Sequence, residues 1–141
     1  MKRHHILIVL ISVIVTSSSC RKDRLEQTEQ SIVGSWEIRD VTGGQIPGSH
    51  ASEPGNGNLL QFTNTDYAYI VGGKVTYTGK YSVTVKGTGR NKEYILTLIS
   101  NGSPSKFEIE GDKLTIYHGR IESDGATVIY ERVNDPVLHT N

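Results

Sequence analysis

One cysteine, one tryptophan, one methionine and four prolines are spread over 141 residues. A lone cysteine cannot close an internal disulfide, so a domain built from this chain must hold together without covalent staples. Neither charge is in excess, since fifteen Lys and Arg face fifteen Asp and Glu. Without a basic run, the chain lacks the electrostatic footprint of a nucleic-acid-binding protein. Long apolar stretches are missing as well. The longest, Ile6 to Val15, is broken by Ser12 and reaches about half of the roughly twenty residues that a membrane-spanning helix needs. A short helix through Asp23 to Gln30 would be marginal at that length, and no convincing helical pattern follows from Ile32 onward.

The short apolar run has a definite context. Lys2 and Arg3 precede it, and the small residues Thr16 to Ser19 follow it. A positive start, an apolar middle and a small-residue end are the marks of an export signal. Cys20 comes next, and Ser17-Ser18-Ser19-Cys20 resembles a relaxed bacterial lipobox, with Ser17 where an apolar residue is usual. That resemblance implies cleavage before Cys20 and acylation (palmitate-type chains) of Cys20 as the new N-terminus. The alternatives are a buried N-terminal helix and an ordinary signal peptide with a free thiol. Removal of residues 1–19 takes away Lys2 and Arg3 and no acid, leaving 13 basic residues against 15 acidic ones. In lipoproteins of this kind an aspartate after the cysteine retains the protein in the inner membrane. Arg21 stands there instead, which implies the outer membrane, on either of its faces.

Residues 20–31 then read as a lipidated N-terminus and a polar tether. Leu25 is the single apolar residue between Arg21 and Ser31, so this stretch has no face with which to dock. Arg21 and Lys22 are placed to meet anionic head groups, a small and salt-sensitive contribution.

From Ile32 onward the pattern has period two. Gly34, Trp36 and Ile38 point one way, and Ser35, Glu37 and Arg39 the other. Val41 to Asn58 is rich in Gly, Pro, Ser and Asn and reads as a long loop. A loop of that length is either functional or mobile. Leu59 to Thr63 and Tyr67 to Val71 are strands joined by Asn64-Thr65-Asp66. Gly72-Gly73 signals a tight hairpin, and Val75 and Tyr77 resume the alternation. Gly79 interrupts it, predicting a bulge or bend, before Tyr81, Val83 and Val85. Next come Glu93 to Ser100, Lys106 to Glu110, Lys113 to Tyr117 and Ala126 to Val133. The strand at Glu93 carries Tyr94, Leu96 and Leu98 on one face and Ile95 and Ile99 on the other, so it is expected to be covered on both sides. Eight or nine short strands with short turns predict an all-β fold. The expected form is a small antiparallel up-and-down barrel over residues 32–134, with residues 135–141 as a tail. Closure removes the exposed edges that antiparallel sheets otherwise leave.

The same residues resemble a family. Gly34-Ser35-Trp36 at the first strand is similar to the Gly-x-Trp signature of lipocalins. Arg132 in the last strand matches the arginine that packs over that tryptophan. The stretch from Ile32 to Val133 resembles the lipocalin-like domains of bacterial envelope lipoproteins. The resemblance implies a barrel with a closed end at Trp36 and Arg132 and a mouth at the opposite end. Thr65-Asp66-Tyr67 is like a second lipocalin signature but falls between the second and third strands, where it reads as turn chemistry. With about 100 residues, strands of about seven residues tilted by about 40° give a barrel only about 18 Å tall. Such an interior is either filled by side chains or holds one small ligand.

Catalytic and metal chemistry find no constellation. His50, His118 and His139 lack ligand spacing to one another, so no metal or cofactor is expected. No serine sits in a nucleophile-elbow context, and the chain is not read as an enzyme. Gly87-Thr88-Gly89 precedes a strand, with Lys92 where a phosphate loop has its third glycine, and reads as a hairpin turn. Seven tyrosines are the one aromatic surplus. Tyr67, Tyr69, Tyr77, Tyr81 and Tyr94 are candidates to line a cavity, set against plain strand packing, in which tyrosine is favoured. Residues 42–57 are a candidate lid, against a plain surface loop. Two functions stay open. One is an envelope lipoprotein that binds a small, partly apolar ligand at the barrel mouth. The other is a structural or interaction module, with a filled barrel, that meets an envelope protein partner as accessory subunit or inhibitor.

Overall fold

The computed structural model describes residues 32–44, 48–88, 91–99, 103–120 and 123–134. The signal segment, Cys20, the tether up to Ser31 and the tail from Asp135 lie outside the described residues. Eight strands follow one another: β1 Gly34–Gly43, β2 Leu59–Phe62, β3 Asp66–Val71, β4 Lys74–Lys86, β5 Glu93–Leu98, β6 Pro104–Glu110, β7 Lys113–Arg120 and β8 Ser123–Val133. Each pairs antiparallel with the next, and β8 pairs with β1, so the sheet closes into an up-and-down barrel.

Alternation decides which side chains fill the interior. Trp36, Leu60, Phe62, Tyr67, Val83, Leu96, Phe107, Leu114, Ile116, Val128 and Tyr130 form one buried cluster drawn from every strand. Their cross-strand pairings, such as Trp36 with Leu60 and Leu114 with Tyr130, keep each strand's apolar face on the inside. Burial of a large apolar side chain stabilises by about 1.5–3 kcal/mol, so this cluster is the main term holding the barrel.

Two irregularities depart from the alternation read from the sequence. In β1, Ile38 pairs with Tyr130 and Asp40 with Ile129, which leaves Arg39 as a bulge residue. The extra residue returns Val41 to the interior, where it packs against the same cluster as Ile38. The strand therefore runs to Gly43, into the stretch expected to be loop, because residues 40–43 pair with β8. The second departure concerns Gly79. No break occurs there, and β4 is one strand of thirteen residues. Its first part, to Lys80, pairs with β3, and from Tyr81 it pairs with β5. The bulge lies earlier, at Thr76, between the pairs Tyr69–Tyr77 and Ile70–Val75.

The described part of the segment after β1, residues 48–58, returns along β1. Ser49 bridges to Thr42, the His50 amide donates to the Val41 carbonyl, and the Ser52 amide donates to the Arg39 carbonyl. The Ile38 amide then donates to Asn58. Residues 53–57 make an outward excursion fixed by Glu37. This carboxylate accepts from the Gly55 and Gly57 amides at 2.9 Å each and from Arg39 at 2.5 Å. Glu37 sits on the outer face, yet only 4% of it is exposed. Burial alone would raise its pKa, but the two amides and Arg39 outweigh that and hold it below the ordinary glutamate value.

Candidate functional site

The two ends of the barrel differ in kind. The turns 63–65 and 111–112, residues 87–88 after β4 and residues 32–33 before β1 lie at one end. Trp36 plugs it from within, and its indole Nε1 donates to the Ile32 carbonyl at 2.7 Å. The Arg132 guanidinium lies 4.0 Å from the indole centroid, and its Nη1 donates to the Val33 carbonyl at 2.9 Å. The turn 111–112 closes over this stack, with Asp112 accepting from the Arg132 amide at 2.7 Å.

The other end carries the end of β1 at Gly43, the Gly72-Gly73 turn and the C-terminal ends of β5 and β7. Here the interior is not filled. A cavity of about 300 Å³ is lined by Tyr69, Leu96, Leu98, Ser103, Ser105, Ile116, His118 and Gly119. Leu96 and Leu98 of β5 and Ile116 of β7 form its apolar wall. Ser105 lies two residues before Phe107 in β6, and His118 two after Ile116 in β7, so both point inward. They meet there, with Ser105 Oγ and His118 Nδ1 3.2 Å apart. Burial lowers the His118 pKa, which keeps the imidazole neutral at neutral pH. Among the described residues no carboxylate bonds to His118.

The five tyrosines named above divide. Tyr69 lines the cavity, and burial, with Tyr67 nearby, raises its pKa. Tyr67 is buried in the core, its ring 6.4 Å from Phe62 and 5.7 Å from Tyr69. Tyr77 is 45% exposed on the β3–β4 hairpin. Tyr81 belongs to the plugged end, where its hydroxyl donates to the Thr63 carbonyl at 2.7 Å. Tyr94 packs beside Phe107, with ring centres 6.1 Å apart. Tyr130, outside that group of five, is buried inside the barrel, and burial raises its pKa strongly, with a smaller contribution from Tyr69.

The inward meeting of Ser105 and His118 escaped the sequence reading. Extending the alternation of Phe107 and Ile109 backward, and of Leu114 and Ile116 forward, would have placed both inside. A second hollow, of about 320 Å³, lies between Arg39, Glu110, Asp112, Lys113 and Glu131 near the plugged end. Its charges are engaged with one another, through Arg39 with Glu131 and Lys113 with Glu110. Among the described residues no group of three His, Cys, Asp or Glu side chains is arranged to hold a metal ion. Neither a family model, nor a curated protein, nor a solved structure matches this chain.

Proposed function

We propose that this protein is a lipid-anchored envelope protein of the bacterial outer membrane, held by acylated Cys20, whose barrel takes a small, partly apolar ligand at its mouth. The observation that carries the ligand reading is the cavity of about 300 Å³, with an apolar wall and one inward polar pair. Binding sites are concave, mostly apolar and furnished with a few placed polar groups. That volume equals about ten water molecules. Short amphiphiles and single rings fit it, while sterols and haem are too large. The anchor rests on the sequence around Cys20, and Arg21 after it favours the outer membrane.

Thermal-shift screening of the full chain tests this reading, using short fatty acids and their amides, phenols, indole and monosaccharides. Ser103 is exposed and lines the cavity, so Ser103→Trp would block the mouth without disturbing the core. Stabilisation of the wild type that disappears in Ser103→Trp is the expected result. No stabilisation by any compound, or the same stabilisation in the blocked variant, would sink the ligand reading.

A second reading, as an interaction module, draws on Val71, Val75 and Tyr77 of the β3–β4 hairpin and Ile99 after β5. All four are large apolar side chains left exposed. Val71 and Val75 flank the tip of a hairpin, where an apolar patch is suited to an envelope protein partner. Capture by the wild-type chain of a stable partner that is lost in Val75→Lys supports this reading; recovery of none counts against it.

A further inference from the structure

The cavity's lining also bears on the class of ligand, an inference that rests on the ligand reading above. Ser105 and His118 occupy interior positions that would otherwise take apolar side chains, next to Phe107 and Ile116 in their strands. Burying polar groups costs stability unless they are satisfied. Ser105 is only 6% exposed, and its bond to His118 engages the imidazole through Nδ1. Among the described residues Nε2 has no partner, which leaves it to whatever enters the cavity.

The remaining lining sets the charge of that occupant. Leu96, Leu98 and Ile116 are apolar, Ser103 and Gly119 are neutral, and Tyr69 from β3 is the one other titratable side chain lining the cavity among the described residues. Ala126 of β8 stands across from His118. Lys106 and Tyr117 alternate with Ser105 and His118 and so lie on the outer face, where they meet one another. Among the described residues the cavity therefore offers one ionisable ring that can become positive and no fixed charge. A single negative group can be matched there, and a second could not.

We propose that the Ser105–His118 pair anchors the carboxyl group of a small monocarboxylic acid whose apolar part lies against Leu96, Leu98 and Ile116. A carboxylate entering beside a neutral imidazole would be an uncompensated charge among apolar side chains. One proton therefore enters from solvent with each acid bound. With that proton on the ring, Nδ1–H donates to Ser105 Oγ, and the Ser105 hydroxyl proton is free to donate to a carboxylate oxygen. Burial holds the empty-site His118 below its ordinary value, and the bound carboxylate raises it. Between those two values, binding takes up one proton, and affinity falls about tenfold for each unit of rising pH.

The test is titration calorimetry on the full chain with octanoate and with octanamide, its neutral counterpart, from pH 6.5 to 8. For the wild type we expect octanoate to weaken about tenfold per pH unit and octanamide to be indifferent to pH. His118→Gln should keep octanamide binding and flatten the octanoate profile, and Ser105→Ala should weaken octanoate more than octanamide. The contrast between the two wild-type profiles decides the matter even if a variant fails to fold. Octanamide binding with octanoate refused, or an octanoate profile that is flat in the wild type or unaltered in His118→Gln, overturns the acid site and leaves the ligand reading standing. Binding of neither compound overturns the acid site, and a blank thermal-shift screen would then remove the ligand reading too.

Discussion

The Arg132 guanidinium lies 4.0 Å from the centre of the Trp36 indole while its Nη1 donates to the Val33 carbonyl. The two residues pair across β1 and β8, the strands whose contact closes the barrel. One side chain thus covers the plug, satisfies a carbonyl at the chain's approach to β1 and approaches Asp112 in the β6–β7 turn. A partly desolvated cation over a tryptophan is worth about 1–2 kcal/mol.

Arg132→Ala should therefore lower stability by about 1–2 kcal/mol, which in a domain of this size is a drop of about 5–15 °C in melting temperature. Arg132→Lys keeps a charge but not the planar fork, and should fall between the two. Thermal denaturation followed by circular dichroism reads this directly. An unchanged midpoint in Arg132→Ala would mean that the stack contributes nothing to closure.

Gly34 makes that stack sterically possible. A Cβ built on it would lie 2.6 Å from Arg132 Nη1, and its φ of +137° is one that side-chain-bearing residues rarely adopt. Gly34→Ala should destabilise by both routes. The steric route vanishes when Arg132 is already alanine, so the double variant should lose less than the sum of the two single losses. Strict additivity would show that backbone conformation alone dictates glycine at this position.

How much of this was legible depends on which force fixes each residue. The interior alternation was readable where one face of a strand is buried, so Trp36, Leu60, Phe62, Leu96 and Phe107 point where period two sends them, whereas Val75 and Tyr77 in the first part of β4 are exposed. Ile95 was expected to be covered on its outer side and is 7% exposed, opposite Lys106; Ile99 shared that expectation and is 59% exposed, beyond the end of β5. Gly79 was expected to carry a bulge or bend; the bulge falls at Thr76 instead, and β4 continues through Gly79 to change partner from β3 to β5 after Lys80. Glu37 was legible as outward-facing but not as buried. Its covering comes from a segment with no periodicity, whose path is set by amides reaching back to a carboxylate eighteen and twenty residues earlier. Ser105 and His118 were hidden for a related reason, as polar residues at strand ends carry no alternation signal of their own.

Cys20→Ser tests the anchor independently of the barrel. If Cys20 carries acyl chains, the serine variant should leave the membrane fraction or stall before processing, whereas the wild type stays with the membranes. Fractionation of cells producing each form, with metabolic labelling by a fatty-acid analogue, reads both outcomes. A serine variant that is processed and still sediments with membranes would remove the lipid anchor from the proposed function.

The outer carboxylate gives the barrel a built-in acid sensitivity. Burial pushes the Glu37 pKa up, but the amides of Gly55 and Gly57 and the Arg39 guanidinium push it further down, leaving it below the ordinary value. A folded-state pKa below the unfolded one gives stability that is fully present above the unfolded pKa, about 4.3 for glutamate, and lost as pH falls through the folded pKa. Glu37→Gln removes the charge and keeps one accepting oxygen. At pH 7 it should cost about 1–3 kcal/mol, the range for disrupted bonds to a buried charged group. The variant should also show a shallower loss of stability between pH 5 and pH 3, because the group that must take up a proton is gone. Urea unfolding at pH 7, 5 and 3 measures both effects. Parallel profiles for wild type and variant would mean that acid sensitivity arises elsewhere and that the 53–57 excursion holds without the carboxylate.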